Sequence, residues 1–323
     1  MGGSTKQALL QALSAAEGAY ISGQQLAEAL GVSRAAVHKA AQALSAQGYT
    51  LDSAPRRGYR LAGGDPFCAE AVGPYPAPIH IYDTLQSSNL TAKQLALGGA
   101  PHGTLVLTAH QKAGRGRLGR RFESPAGKGV YLSLILRPAL SAADAQSATI
   151  SAAVAVARAV KALCGLELSI KWVNDLYYQG RKVCGILTEA ALDMESGMLD
   201  YAVLGLGFNI TAPPDGWPAE LQDVAGALFD DAPPPGARAA LAAAFLNEFW
   251  ALYHGVPKPE YLPEYRARQA LLGQTVTVTP RNGTPRKAEA LDIDEDCRLV
   301  VRFAGEHNLV PLRGEEVHLG KYL

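Results

Sequence analysis

The chain has 323 residues, of which 48% are hydrophobic and 19% are charged. This composition predicts a globular protein of two or three domains. Its formal net charge of zero excludes a uniformly basic nucleic-acid binder, although a local basic patch is compatible with it.

The cysteines and the hydropathy pattern indicate the cellular compartment of the protein. Metal-binding spacing is absent from the four cysteines, Cys68, Cys164, Cys184 and Cys297. Scattered thiols predict free cysteines in a reducing environment. The sequence has no continuous apolar run of about 18 residues and no signal-peptide pattern at its start. We therefore expect a cytoplasmic protein without a membrane span.

The first predicted elements are two short helices separated by a glycine. Ser22 is expected to cap the first helix, Gly31 to end it and Ser33 to cap the second. The expected inward positions are Leu26, Ala29, Leu30, Val37, Ala40, Ala41 and Leu44. This pattern predicts a helix-turn-helix, and the basic stretch PRRGY at 55–59 predicts the hairpin tip of a winged form.

This N-terminal region is the candidate DNA-binding surface. Residues 1–60 carry six Lys/Arg and three Asp/Glu, a positive excess within a neutral chain. The side chains expected to meet DNA are Ser33, Arg34, Ala35, His38, Lys39, Arg56 and Arg57. Because the excess is modest, binding would need a dimer that contacts two half-sites. The alternative is a small helical bundle that docks on the rest of the chain and whose charges are only solvated.

The rest of the chain divides into regions of different composition and hydrophobic pattern. A Gly-, Pro- and Ala-rich stretch at 63–79 predicts a linker. Strands and helices then alternate, with strands expected at 104–110, 129–137, 169–178, 181–190 and 201–210, a helix capped by Ser141, and another helix ending near Tyr253. Period-two strands after Gly273 predict a small β-barrel. The expected domains of this α+β protein are 1–62, 80–270 and 271–323.

Residues 114–120, GRGRLGR, place arginines among glycines. The glycines fit a dinucleotide-binding fingerprint, but that fingerprint must open a helix, and the following RRFESPAGKG has no helical period. Guanidinium groups instead suit carboxylates and phosphates. Because the arginines repel one another, we expect a loop that is mobile until an anion orders it. A solvated surface loop and a second nucleic-acid patch are the alternatives.

A second group of polar residues lies in and beside buried-looking strands, in KWVNDLYYQGRKVCGILTE at 171–189 and GLGFN at 205–209. Asp175 could hold Mg²⁺, which prefers hard oxygen ligands. Lys182 could meet a phosphate or carboxylate, and Asn209 could bond a base or ribose. Each residue also has an ordinary alternative, as part of a turn, a solvated strand end or a strand cap.

Taken in order, these segments resemble the biotin–protein ligases. The matching segments are QKAGRGRLGRRF, SPAGKGVYLSL, KWVNDLYY, RKVCGIL and GLGFN. The helix-turn-helix before them and the β-rich region after them extend the resemblance to the subgroup that is both ligase and biotin operon repressor. The resemblance implies a class II synthetase-like catalytic domain followed by an SH3-like β-barrel.

The resemblance also implies an activity and a set of site residues. ATP and biotin would form biotinyl-5′-AMP with Mg²⁺, and biotin would pass to a lysine of the biotin carboxyl carrier protein of acetyl-CoA carboxylase. The implied catalytic residues are Lys182, Arg115, Arg117 and Arg120, with Asp175 at the metal. The implied biotin contacts are Ser87, Ser88, Asn89, Gln111, Arg115, Gly116, Arg117, Lys182 and Gly185. The implied nucleotide contacts are Arg117, Arg120, Lys171, Asn174, Asn209 and Trp217. The arginine loop would close over the adenylate as a lid.

The chain departs from the family pattern at three positions. Ser88 stands where threonine is usual, Val173 replaces proline, and Phe122 replaces tryptophan. None of these changes removes a charge that the chemistry requires. Trp172 is expected to pack beneath the site, and Trp217 either shields the adenine or anchors its loop.

The implied partners include operator DNA of biotin genes, bound by a homodimer that carries the adenylate. Three other interpretations are open: a transcription factor that keeps an inactive ligase domain as a sensor, a lipoate–protein ligase, and a ligase whose helix-turn-helix does not regulate transcription.

Overall fold

A computed structural model describes residues 5–16, 18–46, 48–64, 69–137, 145–192, 199–253, 261–280, 283–314 and 317–319. The chain forms two compact units, Met1–Pro74 with Ala232–Ala240, and Tyr75–Asp231 with Leu241–Leu323. Ser141 and Cys68, the sites of a predicted helix cap and a predicted free thiol, lie outside the described residues.

The first unit contains the predicted pair of helices. Its elements are α1 Thr5–Ala15, α2 Gly23–Leu30, α3 Arg34–Ala46, β1 Thr50–Ala54, β2 Gly58–Gly63 and α4 Ala69–Val72. Ser22 Oγ accepts the Gln25 N–H at 3.2 Å, and the Gln25 side chain accepts the Ser22 N–H at 3.1 Å, which forms a capping box at the start of α2. Gly31 adopts a left-handed φ of 63° at the end of α2. Ser33 Oγ accepts the Ala36 N–H at 3.1 Å in the first turn of α3.

The core of this unit confirms most of the predicted inward positions. Leu26, Val37, Ala40, Ala41 and Leu44 are buried together with Leu9 and Leu13 of α1. The expectation for Ala29 is wrong, because this residue is exposed, while Ala27 is buried and Leu30 is half-buried. A helix turns about 100° per residue, so a face centred between Leu26 and Ala27 leaves Ala29 on the solvent side.

The second unit is built on a seven-stranded sheet in the order β3-β4-β5-β9-β8-β7-β6. Its elements are β3 Ile79–Tyr82, α5 Ser88–Leu97, β4 Leu105–Thr108, β5 Gly129–Leu136, α6 Ala145–Cys164, β6 Ser169–Lys171, β7 Asp175–Tyr178, β8 Arg181–Leu192, β9 Leu199–Asn209 and, from Leu241 onward, α7 Ala237–Tyr253. The β3–β4 pair is parallel and the other pairs are antiparallel.

The strand predicted at 169–178 is two strands instead of one. Lys171 pairs with Asp175, so β6 and β7 form a hairpin and the three residues between them leave the ladder as a turn. The peptide bond between Trp172 and Val173 in this turn is cis. The predicted tight turn between β7 and β8 is confirmed, with φ values of 49° at Gln179 and 76° at Gly180.

Alternation along the strands separates the two faces of the sheet. On one face Phe208 of β9 packs against Phe245 of α7, with ring centroids 6.2 Å apart. Thr188 of β8 lies on this face too, because it pairs with Leu204, which is four residues from Phe208 in β9. Thr188 Oγ1 is 2.6 Å from Thr149 Oγ1 of α6, so α6 covers the same face. Successive strand residues point to opposite faces, so Gly205 and Gly207 are directed to the other face, which α5 covers in part.

After α7 the chain forms a second sheet. The elements are α8 Leu262–Ala267, β10 Thr275–Pro280, β11 Arg286–Ile293, β12 Leu299–Phe303, β13 Leu309–Leu312 and β14 Val317–Leu319, with the antiparallel order β13-β12-β11-β10-β14. The first three strands were expected from alternation, whereas β13 and β14 are too short to show a period. A C-terminal β-sheet is therefore present, and its closure into a barrel stays a prediction.

One helix qualifies the expectation about membranes. The stretch Ser147–Cys164 of α6 is long and apolar enough to span a bilayer by length and composition alone, with a mean hydropathy of 1.4. However, 67% of it is buried inside the protein. Because a core helix passes the same test, this stretch is weak support for a membrane span.

Candidate functional site

A cavity of about 460 Å³ lies in the second unit, on the α5 face of the sheet. Its lining includes every residue for which the sequence predicts a catalytic, biotin, nucleotide or metal contact: Ser87, Ser88, Asn89, Gln111, Arg115, Gly116, Arg117, Arg120, Lys171, Asn174, Asp175, Lys182, Gly185, Asn209 and Trp217. The fold therefore brings these separate segments to one place.

The inner end of the cavity is a buried polar cluster at the start of α5. The Ser88 N–H donates to Gln111 Oε1 at 2.8 Å, and Gln111 Nε2 donates to Ser124 Oγ at 2.9 Å. Ser88 Oγ lies 2.8 Å from Ser133 Oγ of β5. Ser88, Asn89 and Gln111 are each less than a tenth exposed, so this end of the cavity offers fixed hydrogen-bonding groups without a formal charge.

Glycines in β8 and β9 leave room for the side chains that form the cavity wall. A Cβ at Gly205 would lie 1.9 Å from Asn89 Oδ1, and one at Gly207 would lie 2.4 Å from Cε1 of Phe122. A Cβ at Gly185 would lie 3.0 Å from the end of the Lys182 side chain. The glycines of RKVCGIL and GLGFN thus admit a polar side chain, an aromatic ring and a cation close to the sheet.

The arginine-rich loop forms a tight hairpin at the mouth of the cavity. The Gly116 N–H donates to Arg120 O at 2.7 Å, and Leu118 at the tip has a left-handed φ of 56°. Arg115 and Arg120 are exposed, whereas Arg117 is half-buried. Arg117 donates to Asn174 Oδ1 at 3.1 Å and to the carbonyl of Gly314 in the C-terminal region. The expected mobility of this loop stays a prediction.

Opposite charges meet at the floor of the cavity. Lys182 Nζ lies 2.6 Å from Asp175 Oδ1, and both side chains are about three-quarters buried, at 24% and 25% exposure. Burial lowers the pKa of the nearby Lys171 ammonium; Asp175 opposes this effect, while Lys182 and Arg120 reinforce it. The floor thus holds cations close together, which favours an anionic ligand.

The β6–β7 turn is held from outside the cavity. Trp172 Nε1 donates to Cys297 O at 3.1 Å, and Tyr265 Oη donates to Val173 O at 3.0 Å. Complete burial raises the pKa of the Tyr265 hydroxyl well above its usual range. Sequence reasoning missed Tyr265 and Cys297, because no local pattern links residues about a hundred positions apart to this turn.

The remaining wall comes from β9 and from the loop before α7. Asn209 Nδ2 donates to Gly226 O at 2.9 Å, and Asn209 Oδ1 has no hydrogen-bond partner among the described residues. The Lys182 N–H donates to Val224 O at 2.7 Å, which fastens this loop to the start of β8. Trp217 from the same loop lines the cavity and is 9% exposed. The sequence contains no signal for the wall residues Leu221, Val224 and Ala225.

A metal ion here would find few protein ligands. Within the described ranges, no group of three or more His, Cys, Asp or Glu residues could hold a metal. The floor offers the Asp175 carboxylate, which is already paired with Lys182. This donor set does not fit an all-protein metal site, but it does fit Mg²⁺, which usually keeps waters and binds one or two carboxylates plus substrate phosphates.

The first unit presents its own candidate surface. Arg34, Ala35, His38 and Lys39 lie exposed on the first turns of α3, beside the exposed Ser33 cap. Arg56 and Arg57 are exposed at the tip of the β1–β2 hairpin, where the Arg57 guanidinium stacks 4.2 Å from the ring centroid of Tyr20. This arrangement places basic side chains on an α3 helix and on a hairpin tip, as in a winged helix-turn-helix.

Comparison with known proteins identifies the class. Residues 82–209 match the model of the biotin/lipoate A/B protein ligase family, and residues 5–60 match an HTH domain model. The solved structure of biotin protein ligase from Aquifex aeolicus in complex with biotin and ATP superimposes with a TM-score of 0.61 at 21% identity. That match covers 76% of this chain and 99% of the other, and it supports the fold.

Two longer matches to individual proteins show the family within this class. The bifunctional ligase/repressor BirA of Bacillus subtilis (strain 168) is 34% identical over 305 residues, covering 91% of this chain and 92% of the relative. Bifunctional ligase/repressor BirA of Escherichia coli (strain K12) is 32% identical over 201 residues, covering 60% of this chain and 61% of the relative. The chain belongs to the BirA family of bifunctional ligase/repressors.

Proposed function

We propose that the protein is a biotin–protein ligase and a biotin-responsive repressor. It activates biotin with ATP and transfers the biotinyl group to a lysine of the biotin carboxyl carrier protein of acetyl-CoA carboxylase. The observation that carries the ligase assignment is the convergence of Lys182, Asp175, Arg117 and the Ser88–Gln111 cluster on one cavity. The family to which the chain belongs adds the substrate class.

The first half-reaction explains the cations. A biotin carboxylate oxygen attacks the α-phosphorus of ATP, the new P–O bond forms, and the bond to the departing pyrophosphate breaks. Because two anions must approach each other, positive charge at the reacting atoms lowers the barrier. Lys182 is assigned to the carboxylate and α-phosphate, and Arg115, Arg117 and Arg120 to the phosphates and the adenylate.

The uncharged end of the cavity suits the ureido ring of biotin. We assign Ser87, Ser88, Asn89 and Gln111 to this ring, together with backbone groups of Gly116 and Gly185. Their burial supports the assignment, since a neutral polar ligand is recognised best by fixed partners away from water.

The other end suits the nucleotide. Asn209 Oδ1, which lacks a partner among the described residues, offers an acceptor to an amino or hydroxyl group of adenosine. Lys171, Asn174 and Trp217 complete the assigned nucleotide contacts. Asp175 would hold Mg²⁺, which would supply positive charge that offsets the charge of the phosphates.

The second half-reaction moves biotin to protein. The neutral amine of the carrier lysine attacks the biotinyl carbonyl carbon and a C–N bond forms. The C–O bond to AMP breaks, the nitrogen loses a proton, and AMP leaves. Because the adenylate is a mixed anhydride that water can hydrolyse, the arginine loop is assigned a second role as a lid that excludes water.

The first unit supports the repressor assignment. Ser33, Arg34, Ala35, His38, Lys39, Arg56 and Arg57 are assigned to operator DNA, and binding is assigned to a homodimer carrying biotinyl-5′-AMP. The proposed domains are 1–62 for DNA binding, 63–79 as linker, 80–270 for catalysis and 271–323 as an SH3-like barrel. We assign the protein to the cytoplasm, because a repressor must reach its genes and a ligase must reach its carrier protein.

Biotin-dependent exchange of pyrophosphate into ATP tests the ligase. The wild type is expected to exchange with biotin and not with lipoate. Lys182→Met should lower the rate about a hundredfold or more, since it removes a cation at developing charge. Lys161→Met is the matched control, because Lys161 is half exposed and pairs with Glu167 away from the cavity. Exchange with lipoate alone, or full activity of Lys182→Met, would refute the assignment.

A gel shift with DNA from upstream of the organism's own biotin genes tests the repressor. A shift is expected at low salt that strengthens when biotin and ATP are both present. Arg34→Ala should weaken it, while leaving pyrophosphate exchange unchanged. If no shift occurs with biotin and ATP, the chain is a ligase whose helix-turn-helix serves another purpose.

A further inference from the structure

A hydrogen bond links the β1–β2 hairpin of the first unit to the exposed side of α3. The hydroxyl oxygen of Tyr59 in β2 lies 3.0 Å from His38 Nδ1. His38 is exposed and lies one helical turn after Arg34, the first residue of α3. Tyr59 therefore contacts a side chain on the face of α3 that we assign to DNA.

Tyr59 is held in place by its own unit. Its N–H donates to Ile21 O, and its carbonyl accepts the Ile21 N–H, both at 2.9 Å. Its ring packs against the hydrophobic core, and a Cβ added at Gly23 would lie 3.6 Å from that ring. Because the backbone and the ring are both held, the hydroxyl is a fixed point that can orient the His38 ring.

The hydroxyl occupies one of the two ring nitrogens of His38. Across the described residues, the other nitrogen, Nε2, has no hydrogen-bond partner. The two nitrogens of an imidazole point in nearly opposite directions, so a partner on Nδ1 turns Nε2 away from Tyr59. Nε2 is therefore the polar atom that His38 can offer to a ligand.

The chemistry of the two groups favours one direction for this bond. A phenol O–H is a stronger donor than an imidazole N–H, and a neutral imidazole nitrogen is a stronger acceptor than a phenol oxygen. With Tyr59 as the donor, the proton of the neutral ring is on Nε2, because the bond made by one nitrogen sets which nitrogen is protonated. A charged ring keeps the same Nε2–H, so Nε2 is a donor in both charge states.

We propose that Tyr59 is a positioning residue for DNA recognition: its hydroxyl donates to His38 Nδ1 and so directs Nε2–H to an acceptor on a base. The proposal rests on the proposed function, in which α3 lies against operator DNA. Residues near the start of a recognition helix meet base edges in the major groove. Every purine presents the acceptor N7 in that groove, and the contact is assigned to this atom.

The first measurement needs no DNA. Nitrogen-15 spectra of the full-length protein, labelled at histidine, distinguish a ring protonated at Nε2 from one protonated at Nδ1. The signals of His38 are those that disappear in His38→Ala. The neutral wild-type ring should be protonated at Nε2, and Tyr59→Phe should raise the share of the form protonated at Nδ1. A wild-type ring protonated at Nδ1, or an unchanged spectrum in Tyr59→Phe, would overturn the proposal.

The second measurement is a double-mutant cycle on the DNA of the gel shift, with biotin and ATP present at low salt. Tyr59→Phe keeps the packed ring and should weaken binding about fivefold, the worth of one hydrogen bond. In a His38→Ala background the same change should have no effect, because the hydroxyl acts through His38. Equal weakening in both backgrounds would overturn the proposal, since the hydroxyl would then support the fold or contact DNA itself.

Modified DNA identifies the acceptor. Replacing the purines one at a time by their 7-deaza forms exchanges N7 for C–H. One purine in each half-site should give a loss of about fivefold with the wild type, and no loss with His38→Ala. With Tyr59→Phe the loss at this purine should be smaller than in the wild type.

Tyr20→Phe is the matched control. Among the described residues the Tyr20 hydroxyl has no hydrogen-bond partner, and a phenylalanine ring would keep the stacking on Arg57. This variant should bind as the wild type does, with the same response to the modified purines. If no purine responds in the wild type and not in His38→Ala, the assigned contact is wrong. A wild type that binds none of this DNA would overturn the repressor assignment as well, which separates the two failures.

Discussion

Gly205→Ala should weaken biotin binding without unfolding the protein. An added Cβ would lie 1.9 Å from Asn89 Oδ1 and 2.7 Å from Asn89 Cγ, against an ordinary contact distance of at least 3.4 Å. Because Gly205 lies in a central strand whose backbone is held on both sides by β5 and β8, the Asn89 side chain must move.

The size of the effect follows from the bonds that Asn89 would lose. Its side chain bonds Leu187 O, Glu189 Oε2 and Ser133 Oγ. Disrupting a buried group of this kind costs about 1–3 kcal/mol. If that cost falls on the bound state, the biotin dissociation constant rises roughly 5- to 150-fold.

Titration calorimetry with biotin measures this rise, and thermal unfolding reports the fold. Gly98→Ala is the control. Gly98 lies at the end of α5, the helix that carries Asn89, and an added Cβ would meet only backbone oxygens at 3.4 Å and 3.5 Å. A Gly205→Ala protein that binds biotin as tightly as the wild type would show that Asn89 has no part in the site.

Three other predictions concern the charge of Lys171, the hydrogen bond that holds the β6–β7 turn, and the N-terminal unit. Burial lowers the pKa of the Lys171 ammonium, and a bound phosphate favours the protonated form of this side chain. The affinity for ATP should therefore fall as the pH rises from that lowered pKa toward 10.5, the ordinary pKa of a lysine. Lys171→Met should flatten this dependence in an ATP titration across alkaline pH; a slope equal to the wild type would contradict it. Trp172→Phe removes the bond to Cys297 O and should lower the free energy of unfolding by about 1–3 kcal/mol; an unchanged urea midpoint would be inconsistent with that. Gly58→Ala would bring a Cβ within 2.1 Å of Ile21 O at a φ of 96°, so it should abolish the DNA gel shift while pyrophosphate exchange continues, and intact DNA binding would refute this.

Matched controls exist for two of these changes. Lys161→Met removes a half-exposed lysine and should leave the pH dependence of ATP binding as it is. Gly23→Ala would place its Cβ 3.6 Å from the Tyr59 ring, an ordinary contact, and should keep DNA binding.

The sequence by itself determined the features that depend on neighbouring residues. The caps at Ser22 and Ser33, the left-handed Gly31 and the turn at Gln179–Gly180 each involve a backbone group within about four positions. The strand alternation and the order of the motifs were also legible, because side-chain period and residue type are local properties. The same residues at the motif positions line one cavity.

Only the tertiary structure decided which distant groups support that cavity. Glu189 and Asn89 are 100 positions apart, Trp172 and Cys297 are 125 apart, and Arg117 reaches Gly314 across 197. Such pairs form because antiparallel strands and the C-terminal sheet bring remote segments together. The sequence alone does not show which polar groups then form hydrogen bonds with each other. The direction of each hydrogen bond at the cavity wall is set by that arrangement, since each donor needs its own acceptor once water is excluded.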